Sequence, residues 1–480
     1  MHRLDPVVRF WPIMAVGADM LVCLLASVHV LLHKRDSRAA TLWIGFIWLL
    51  PLLGLVLYYA LGVNRIRRRA VSLGVHGTFR RPLPDGLGEP EHAGAEHLEH
   101  LARVVSRLVA QPLAAGNKLE PLVNGDEAFP AMLDAIESAT ESISLGTYIF
   151  DNDASGGKFA AALERAVRRG VPVRVLVDGA GARYSWPPIT RRLRQARIPC
   201  ARFLPASLFT PWRVATINLR NHRKSLVVDG QIAFTGGINI RHGNMISAQP
   251  RRPVQDLHFR VTGPVVAQLQ AAFANDWAFT TGEILDGEIW FPEMSEAGEV
   301  VARVITDGPD ADFENLRLTL LAALAEAQTS VQILTPYFLP DNALVSALNL
   351  AALRSVRVDI VLPEQVNLPF VNWASRAMWW QVLERGCRIW LTPPPFDHSK
   401  LMIVDRHWVL LGSANWDTRS LRLNFELNVE GYGRAFAEEM EKVIAKKLSA
   451  AREVTLVEVD ARPLAARLRD AATRLFSPYL

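Results

Sequence analysis

Residues 222–229 read HRKSLVVD and residues 398–405 read HSKLMIVD, so the pattern H-x-K-x4-D occurs twice in the chain. A turn of small residues follows each copy, TGGIN after the first and LGSAN after the second. An acidic residue then opens a matching stretch in each copy, Asp256 in DLHFRVTG and Glu426 in ELNVEG. The two copies lie too far apart to be units of a solenoid repeat. The pattern therefore predicts a duplicated domain.

The sequence around each motif alternates between strand and helix patterns. SISLGTYIF (142–150) predicts a strand, a helix is expected over 157–169, and VPVRVLVDG (171–179) predicts a second strand. The same order returns in SVQILTPYF (330–338) and SVRVDIVLP (355–363), with a helical segment between them. This alternation is typical of a mixed or parallel sheet covered by helices. We predict an α/β fold of two βαβ-rich lobes related by a pseudo-twofold axis.

Composition and patterning divide the 480 residues into five segments. An apolar content of 50% excludes a disordered chain. Three widely spaced cysteines exclude a disulfide framework and a cysteine-rich zinc site. The predicted segments are a membrane hairpin at 1–70, a linker at 71–115, a first lobe at 116–285, a second lobe at 286–450 and a basic amphipathic segment at 451–480.

Two apolar stretches, residues 10–32 and 40–62, are each long enough to cross a bilayer as a helix. A cleaved signal peptide is the alternative for the first stretch. It is disfavoured because the basic sequence HKRDSR follows directly, where a small-residue cleavage site would be expected. Asp19 lies near the middle of the first stretch and has either a functional role or a polar contact between helices.

Basic residues beside these stretches predict their orientation. Three lie in the connecting loop, whereas six lie on the outer flanks: Arg3, Arg9, Arg65, Arg67, Arg68 and Arg69. Because such residues favour the cytoplasmic side, we predict a multi-pass protein of the cell inner membrane with its body in the cytoplasm. Beyond residue 70 the chain has 44 basic and 45 acidic residues, a net charge of −1. The body therefore lacks the positive charge of a nucleic-acid-binding domain, and no nucleic-acid partner is expected.

The two H-x-K pairs suggest one shared active site. Alternate residues of a strand face the same side, so His222 projects with Lys224 and His398 with Lys400. A pseudo-twofold axis can bring both pairs into one pocket. Two ammonium groups can then hold a phosphate, one imidazole can attack phosphorus, and the other can protonate the leaving oxygen. This chemistry needs no metal ion or other cofactor.

Residues outside the H-x-K pairs complete the predicted site. Asp256 and Glu426 are expected to fix the imidazole tautomers. Asp229 and Asp405 close the two motifs just before turns, so they have either a catalytic or a structural role. Further hydrogen-bond donors are expected from three residues of the small-residue turns: Asn239, Ser413 and Asn415.

These motifs resemble the phospholipase D superfamily, whose hallmark is two H-x-K-x4-D sequences in one chain, and within it the bacterial cardiolipin synthases. The resemblance covers nearly all of the chain, including the paired apolar stretches. Further matching sequences are NGDEAF (124–129), YIFDND (148–153), INLRNHRKSLVVDG (217–230), QDLHFRVTGPVV (255–266) and SANWDTRSLRLNFE (413–426). The paired Trp379 and Trp380 depart from the family, in which smaller aromatic residues are expected.

The resemblance implies transfer of a phosphatidyl group through a phosphohistidine, with the His, Lys and Asp of both motifs as catalytic residues. His222 would attack phosphatidylglycerol and release glycerol, and His398 would act first as an acid and then as a base on a second phosphatidylglycerol. Cardiolipin would result. A phospholipase D, or an exchange enzyme with phosphatidylethanolamine as donor, would use the same residues. The body charge disfavours a nuclease, and the complete motifs disfavour a non-catalytic scaffold.

A phospholipid substrate and a lipid bilayer are the expected partners. Transfer to a lipid alcohol favours a dry, apolar entrance, for which FLPASLFTPW (203–212) and VNWASRAMWW (371–380) are candidates unless their aromatics belong to the core. The last helix is expected either to lie on an anionic lipid surface or to pack on the body. Its apolar face and neighbouring basic residues are Leu464, Leu468, Ala471, Leu475 and Phe476, with Arg467, Arg469 and Arg474.

Overall fold

The computed structural model describes residues 6–34, 37–62, 96–205, 219–309 and 312–477. These residues belong to two compact units, one before and one after the interval 63–95. The described part of the first unit is helical. The second unit is an α/β body that contains both H-x-K-x4-D motifs.

The first unit contains one long helix and a shorter, broken one. Its elements are α1 (Pro6–His33), α2 (Ser37–Leu49), α3 (Pro51–Leu57) and a π-helical turn (Tyr58–Gly62). Within the described residues, one helix is long and apolar enough to cross a membrane, over Ile13–His33. The second stretch is interrupted at Leu50, whose φ of −137° and ψ of 73° are not helical, and Pro51 follows without an amide hydrogen. The predicted second span over 40–62 is therefore not confirmed.

Helices α1 and α2 pack side by side because the short connection between them reverses the chain. The Cys23 Sγ atom lies 3.7 Å from the Ile47 carbonyl oxygen. The Trp48 indole donates to Ser27 Oγ at 3.0 Å. Asp19 is half-buried on α1, one turn before Cys23.

The first lobe of the body starts in the range predicted as a linker. Its helices and strands are α4 (Glu96–Leu108), β1 (Ala114–Val123), α5 (Asn124–Ser138), β2 (Ile143–Thr147), α6 (Ala154–Arg168), β3 (Val173–Asp178), α7 (Ile189–Gln195), β4 (Cys200–Phe203), β5 (Arg220–Asn221), β6 (Ser225–Val228), β7 (Ile232–Gly236), β8 (Val254–Gln255), β9 (Leu257–Thr262) and α8 (Val265–Thr281).

The second lobe repeats this order and ends in a short extension. Its helices and strands are β10 (Val300–Asp307), α9 (Asn315–Glu326), β11 (Ser330–Leu334), β12 (Phe338–Leu339), α10 (Asn342–Leu353), β13 (Arg357–Pro363), α11 (Pro369–Arg376), α12 (Trp379–Leu383), β14 (Arg388–Thr392), β15 (Phe396–Asp397), β16 (Leu401–Val404), β17 (Trp408–Gly412), β18 (Trp416–Asp417), β19 (Asn424–Tyr432), α13 (Arg434–Leu448), β20 (Arg452–Val454), α14 (Leu456–Asp460) and α15 (Leu464–Arg474).

One continuous mixed sheet runs through both lobes, in the order β20-β14-β13-β11-β16-β17-β19-β10-β1-β9-β7-β6-β2-β3-β4. The lobes join where β1 and β10 pair antiparallel, with Ala114 opposite Ala302. Outward from this seam, each half has an antiparallel hairpin and then a parallel βαβ pair, β2 with β3 and β11 with β13. The predicted duplicated α/β fold is confirmed.

Equivalent helices begin in the same way in the two lobes. The Asp153 carboxylate caps α6 by accepting from the Gly156 amide at 2.9 Å. The Asp341 carboxylate caps α10 by accepting from the amides of Ala343 and Leu344, both at 3.0 Å. Aspartate is a strong N-cap because it satisfies amides that the first turn leaves unpaired. Each cap starts the helix that follows the first strand of a βαβ pair.

The range 71–115, predicted as a linker, contains α4, which is packed into the second lobe. Its buried face includes Leu98, Leu101 and Val105. Arg303 on β10 also ties α4 to the sheet, since its guanidinium donates to Ser106 Oγ at 2.7 Å and pairs with the buried Glu430. Helix α4 is therefore an integral part of the body.

The last helix packs on the body through its polar side. Asp470 on α15 is 1% exposed and accepts from the guanidinium groups of Arg462 and Arg469. In contrast, Leu464 and Leu468 are 70% and 61% exposed. Helix α15 therefore packs on the body, which is one of the two predicted arrangements, and leaves its apolar face uncovered. Contact of this face with a lipid surface stays a prediction.

Candidate active site

Each histidine lies in an extended segment that is held by the opposite lobe. His222 follows β5, which pairs with β19, and its amide donates to the Phe425 carbonyl at 2.9 Å. His398 follows β15, which pairs with β8, and its amide donates to the Gln255 carbonyl at 2.8 Å. The sequence predicted these histidines within strands. They instead stand between two strands, where the crossed pairing brings both segments to one place.

The two imidazoles face each other across a single site. Their ring centroids are 6.4 Å apart, with the ring planes nearly perpendicular. His222 Nδ1 lies 3.0 Å from Glu426 Oε2, and His398 Nδ1 lies 2.8 Å from Asp256 Oδ2. Each carboxylate therefore comes from the lobe that does not supply its histidine. When an imidazole bonds to a carboxylate through Nδ1, its Nε2 atom is left for chemistry.

The two lysines of the motifs occupy equivalent positions. Lys224 Nζ donates to the carbonyl oxygen of His222 at 2.5 Å, and Lys400 Nζ donates to that of His398. Each lysine therefore projects with its histidine, as the sequence predicted. Burial lowers the pKa of Lys224 to about 7 and that of Lys400 to about 8, against the attraction of the site carboxylates. A bound phosphate anion would favour the charged form of both lysines.

Glu426 is fully buried and saturated with hydrogen bonds. One oxygen accepts from His222 Nδ1 and from the Ser413 hydroxyl at 2.5 Å. The other accepts from Ser420 Oγ at 2.9 Å and Asn424 Nδ2 at 3.1 Å. Burial raises the pKa of Glu426, but His222, Lys224 and these donors outweigh it, so the net direction is downward. Glu426 is held as a carboxylate.

Asp256 has a different environment. Apart from His398, its carboxylate accepts from the Leu257 amide at 2.9 Å. Burial raises the pKa of Asp256 to about 7, against the attraction of Lys400. Burial, together with the charges of Lys400 and Lys224, lowers the pKa of His398 well below its ordinary value. Burial therefore favours the neutral forms of both Asp256 and His398, whereas the Glu426 carboxylate beside His222 is held ionised.

The comparisons with known proteins agree with this arrangement. A family model described as "Cardiolipin synthase, PLD-like domain" matches residues 132–277 and 320–448, one segment for each motif. A second model, "Phospholipase_D-nuclease N-terminal", matches residues 21–62. A cardiolipin synthase of Geobacillus sp. (strain WCH70) is 32% identical over 468 residues, which cover 96% of this chain and 92% of that protein. This chain belongs to the cardiolipin synthase family of the phospholipase D superfamily.

Other relatives support membership of the cardiolipin synthase family. The cardiolipin synthase of Oceanobacillus iheyensis is 31% identical over 468 residues, covering 95% of this chain and 96% of that protein. Among solved structures, phosphatidylserine synthase from Haemophilus influenzae Rd KW20 aligns with a TM-score of 0.62 at 15% identity, covering 79% of this chain and all of that one. This structural likeness supports the fold. The family predicted from the two motifs is confirmed.

The aspartates that close the family motifs do not enter the site. The Asp229 carboxylate accepts from the backbone amides of residues 140–142, between 2.8 and 3.2 Å. Asp405 accepts in the same way from residues 328–330, and also from His97 Nε2 at 2.9 Å. A strand separates each aspartate from its histidine, and seven extended residues span roughly 23 Å. These contacts favour the structural one of the two roles predicted for Asp229 and Asp405, because they tie the turn after each motif strand to the start of β2 or β11.

Of the three hydrogen-bond donors predicted from the small-residue turns, one contacts the histidine–carboxylate pairs and two bond elsewhere. Ser413 bonds directly to Glu426, and its carbonyl oxygen lies 3.0 Å from His222 Nδ1. Asn239 accepts from the Ile149 amide at 3.1 Å, and Asn415 bonds to Asp417. In the described part of the chain, neither asparagine has a recorded contact with an imidazole. Ser413 is therefore the turn residue most directly connected to the catalytic pair.

Two tyrosines that the sequence did not predict for the site lie beside the histidines. The Tyr148 ring lies 5.0 Å from the His222 ring, and Lys224 Nζ lies 5.5 Å from the Tyr148 ring centroid. The Tyr337 ring lies 6.3 Å from the His398 ring. Tyr148 stands one position earlier in its repeated strand than Tyr337 does in the other, in YIF (148–150) against PYF (336–338), so an exact comparison of the two repeats would not have paired them.

The described aromatics proposed for the entrance have different environments. Phe203 is a core residue between Phe279 and Phe425, with ring centroids 5.4 and 5.1 Å away. Phe209 and Trp212 fall outside the described residues. Trp379 is buried, whereas Trp380 is exposed. The Trp373 ring is covered by the Arg469 guanidinium at 4.4 Å.

Proposed function

We propose that this protein condenses two phosphatidylglycerol molecules to cardiolipin and glycerol through a phosphohistidine on His222. The observation that carries the proposal is the pair of crossed histidine–carboxylate contacts around one space between the lobes. Two imidazoles facing each other with two lysines fit a displacement at phosphorus in two steps. Phosphatidylglycerol as donor and acceptor follows the names of the relatives, which are cardiolipin synthases.

In the first step, His222 Nε2 attacks the phosphorus of the donor lipid. A P–N bond forms while the P–O bond to the glycerol headgroup breaks. His398 Nε2 gives its proton to the departing glycerol oxygen, and Asp256 can return a proton to Nδ1. Lys224 and Lys400 balance the negative charge on the non-bridging phosphate oxygens as the transition state forms.

In the second step, a hydroxyl of the acceptor phosphatidylglycerol replaces the departed glycerol. His398 Nε2 removes the hydroxyl proton, and the oxygen attacks phosphorus. A P–O bond forms, the P–N bond breaks, and His222 returns to its starting state. One phosphodiester replaces another, so the exchange requires no nucleotide.

The different carboxylate environments support His222 as the nucleophile. Four donors hold Glu426 ionised, so it accepts Nδ1–H of His222 and leaves a lone pair on Nε2. Asp256 has a raised pKa and suits an acid that gives and regains a proton. Two groups whose environments separate their pKa values commonly divide the roles of base and acid.

We propose that a bilayer covers the exposed apolar residues near the site. Trp186, 93% exposed, lies in the loop between β3 and α7. Phe370, 62% exposed, begins α11 after β13, the equivalent strand of the second lobe. Helix α15 packs beside α11 and adds Leu464 and Leu468. Exposed apolar groups on both lobes favour contact with lipid, and the neighbouring arginines favour an anionic surface.

We also propose that the body lies on the cytoplasmic side of the inner membrane. Basic residues favour that side of a membrane. Four of them, Arg65, Arg67, Arg68 and Arg69, follow the apolar segments and precede the body. The sequence over 63–95 contains no further apolar stretch of spanning length, so the body is expected on the same side as this cluster.

The test is mass spectrometry of lipids from vesicles that contain the full-length protein and headgroup-labelled phosphatidylglycerol. Wild type should give cardiolipin and free labelled glycerol, whereas His222→Ala and His398→Ala should give neither. His100→Ala changes an exposed histidine of α4 and serves as the matched control. Phosphatidic acid as the main product would make water the acceptor and the protein a phospholipase D. Turnover only with added phosphatidylethanolamine would identify a different donor.

A further inference from the structure

We infer that α2 and α3 form a re-entrant hairpin, which enters the membrane and leaves it on the same side, while α1 crosses it. The chain would then cross the membrane once. The amino-terminal end of α1 and the α/β body would lie on opposite sides. This inference concerns membrane topology and is independent of the proposed reaction.

The second apolar segment folds back on itself. In one straight helix, Trp43 and Tyr58 would be separated by fifteen residues, or roughly 22 Å. In the structure their ring centroids are 5.3 Å apart. A proline kink in a continuous helix does not close a gap of that size. Helices α2 and α3 are therefore antiparallel neighbours.

The sequence at the bend favours this reversal. Pro51 occupies the first position of α3, where the missing amide hydrogen costs little. Gly54 then lies against α2, and a Cβ at this position would be 2.7 Å from the Phe46 carbonyl oxygen and 2.8 Å from Ile47 Cα. Only glycine permits this approach without a shift of the backbone. In WLLPLLG (48–54), Pro51 therefore favours the turn and Gly54 permits the close packing of α3 on α2.

Helix α1 fixes where the two ends of the hairpin lie. Tyr58 Oη is 2.8 Å from His29 Nδ1, close to the carboxyl end of α1. Trp48, near the bend, reaches Ser27 Oγ at 3.0 Å. The chain thus leaves α1 at His33, rises along it through α2, and returns through α3 toward the level of His29.

The tip of the hairpin is apolar and does not cover the full depth of a bilayer. Its large exposed side chains are Leu49, Leu50, Leu52 and Leu53. Thirteen residues of α2 rise about 20 Å, whereas the hydrocarbon core is about 30 Å thick. Four exposed leucines at one tip are unusual for a water-facing surface and suit the interior of a membrane. The lipid bilayer is the partner that this tip fits.

The charge distribution agrees with a single span. With both ends of the hairpin on one side, only two flanking basic residues, Arg3 and Arg9, lie on the other. The hairpin side has seven: Lys34, Arg35, Arg38, Arg65, Arg67, Arg68 and Arg69. A division of seven to two follows the positive-inside tendency more strongly than the six to three of two spans. The hairpin side, and with it the body, is cytoplasmic.

Single-cysteine labelling tests this topology in the full-length protein. After Cys23, Cys200 and Cys387 are replaced by alanine, one cysteine is introduced as Val8→Cys, Ser37→Cys or Ser449→Cys. A membrane-impermeant maleimide is applied to intact cells and to inverted vesicles. We expect the Ser37 and Ser449 variants to react in inverted vesicles and the Val8 variant to react in cells. Reaction of the Ser37 variant in cells and of the Val8 variant in inverted vesicles would establish two spans and overturn the inference.

Cross-linking gives a second test that does not depend on the side of labelling. In the same background, Trp43→Cys with Tyr58→Cys should be joined within one chain by a short bifunctional thiol reagent. The matched control is Trp43→Cys with Val56→Cys, because Val56 is an exposed residue of α3. Efficient cross-linking of the first pair alone supports the hairpin. Equal or absent cross-linking of both pairs overturns it, even if catalysis is normal.

Discussion

His222 and Glu426 belong to different lobes, yet His222 Nδ1 lies 3.0 Å from Glu426 Oε2. His398 and Asp256 form the reciprocal contact at 2.8 Å. For the two motif histidines, the imidazole comes from one lobe and the carboxylate from the other, so the site forms where the duplicated halves meet. The crossed strand pairs, β5 with β19 and β15 with β8, give each contact its position.

Glu426→Gln should lower kcat roughly 10²–10⁴-fold with a much smaller effect on KM. The amide cannot hold Nδ1–H in the same way, so the wrong tautomer of His222 becomes populated, as in a serine protease triad whose aspartate is replaced. Initial rates of cardiolipin formation in vesicles measure this effect. Glu283→Gln, which changes an exposed carboxylate paired with Arg174, is the control and should stay within about twofold. Equal rates for the two variants would contradict the assigned role of Glu426.

A donor lipid with a good leaving group should distinguish the roles of His222 and His398. A phosphatidyl ester of p-nitrophenol needs no general acid, because its leaving group is stable as an anion. His398→Ala should therefore release one equivalent of p-nitrophenolate from this donor in a burst whose rate is close to that of wild type, whereas His222→Ala should show no burst. Absorbance of p-nitrophenolate measures the first step alone. Rescue of His222→Ala instead would reverse the assignment of nucleophile and acid.

Activity should fall as the pH rises through the range of the two lysines. Burial lowers the pKa of Lys224 to about 7 and of Lys400 to about 8, and the proposed reaction needs their charged forms. The charged fraction is high below these values and is lost above them, so kcat/KM should fall from about pH 7 to 8. The descending limb of kcat should lie at higher pH, since bound phosphate favours the charged lysines.

Lys400→Arg supplies the control for that pH profile. Arginine stays charged throughout the accessible range, so the variant should lose the part of the descending limb that belongs to Lys400, even if its maximal rate is lower. A profile unchanged in shape would show that the lysines do not cause the decline.

Asp229→Ala should reduce stability and leave the chemistry of the folded protein nearly intact. The substitution removes the charged acceptor of three backbone amides, of which the Ser142 amide is partly buried, and a hydrogen bond to a charged group contributes roughly 1.5–3 kcal/mol. The midpoint of thermal unfolding should therefore fall, while kcat per folded molecule stays close to wild type. Lys224→Ala should behave in the opposite way. A large loss of kcat in a fully folded Asp229→Ala protein would restore this residue to the catalytic set.

Removing exposed apolar side chains should weaken action on bilayers specifically. We expect the triple change Trp186→Ser, Phe370→Ser and Leu468→Ser to raise the apparent KM for phosphatidylglycerol in vesicles. The rate with short-chain lipid below its micelle concentration should change little, because the imidazoles are untouched. The control changes Leu350 and Leu353 to serine; both are exposed at the end of α10 that precedes β13. Equal losses in the two proteins would argue against a lipid-contacting rim.

The sequence predicted the duplicated fold and the residues that meet between the lobes, because equivalent residues recur in both copies of a repeat. His222 and Lys224 have counterparts at the same positions of the second motif, and Asp256 and Glu426 open similar stretches after the two motifs, although at different spacings. Asp229 and Asp405 also stand at equivalent positions of the two motifs. Equivalent positions alone do not show whether a residue has a catalytic or a structural role. Their backbone acceptor role became apparent only when the turn after each motif was seen against residues 140–142 and 328–330.

Two features of the structure, the crossed histidine–carboxylate contacts and the bend in the second apolar stretch, depend on tertiary packing and could not be predicted from local sequence patterns. Each carboxylate bonds to the histidine of the other lobe because short strands of the two lobes pair with each other. The sequence of one repeat alone does not predict this pairing. The apolar stretch 40–62 has the length and composition of a spanning helix. Its reversal follows from Pro51 together with the contact of Gly54 on α2, which hydropathy does not represent. Helix α15 likewise buries Asp470 and exposes its leucines, the reverse of an ordinary amphipathic helix.

The most direct test of the central claim is a rapid alkaline quench of the protein during its first turnover with phosphatidylglycerol, followed by peptide mapping. Phosphohistidine survives base, so a covalent intermediate can be located by mass. We predict a phosphatidyl adduct, detected as glycerophosphoryl after base has hydrolysed its two acyl esters, on the peptide that contains His222; it should form before cardiolipin and be absent from His222→Ala. Cardiolipin formation at the normal rate with no adduct at any time, or an adduct on His398, would contradict the account.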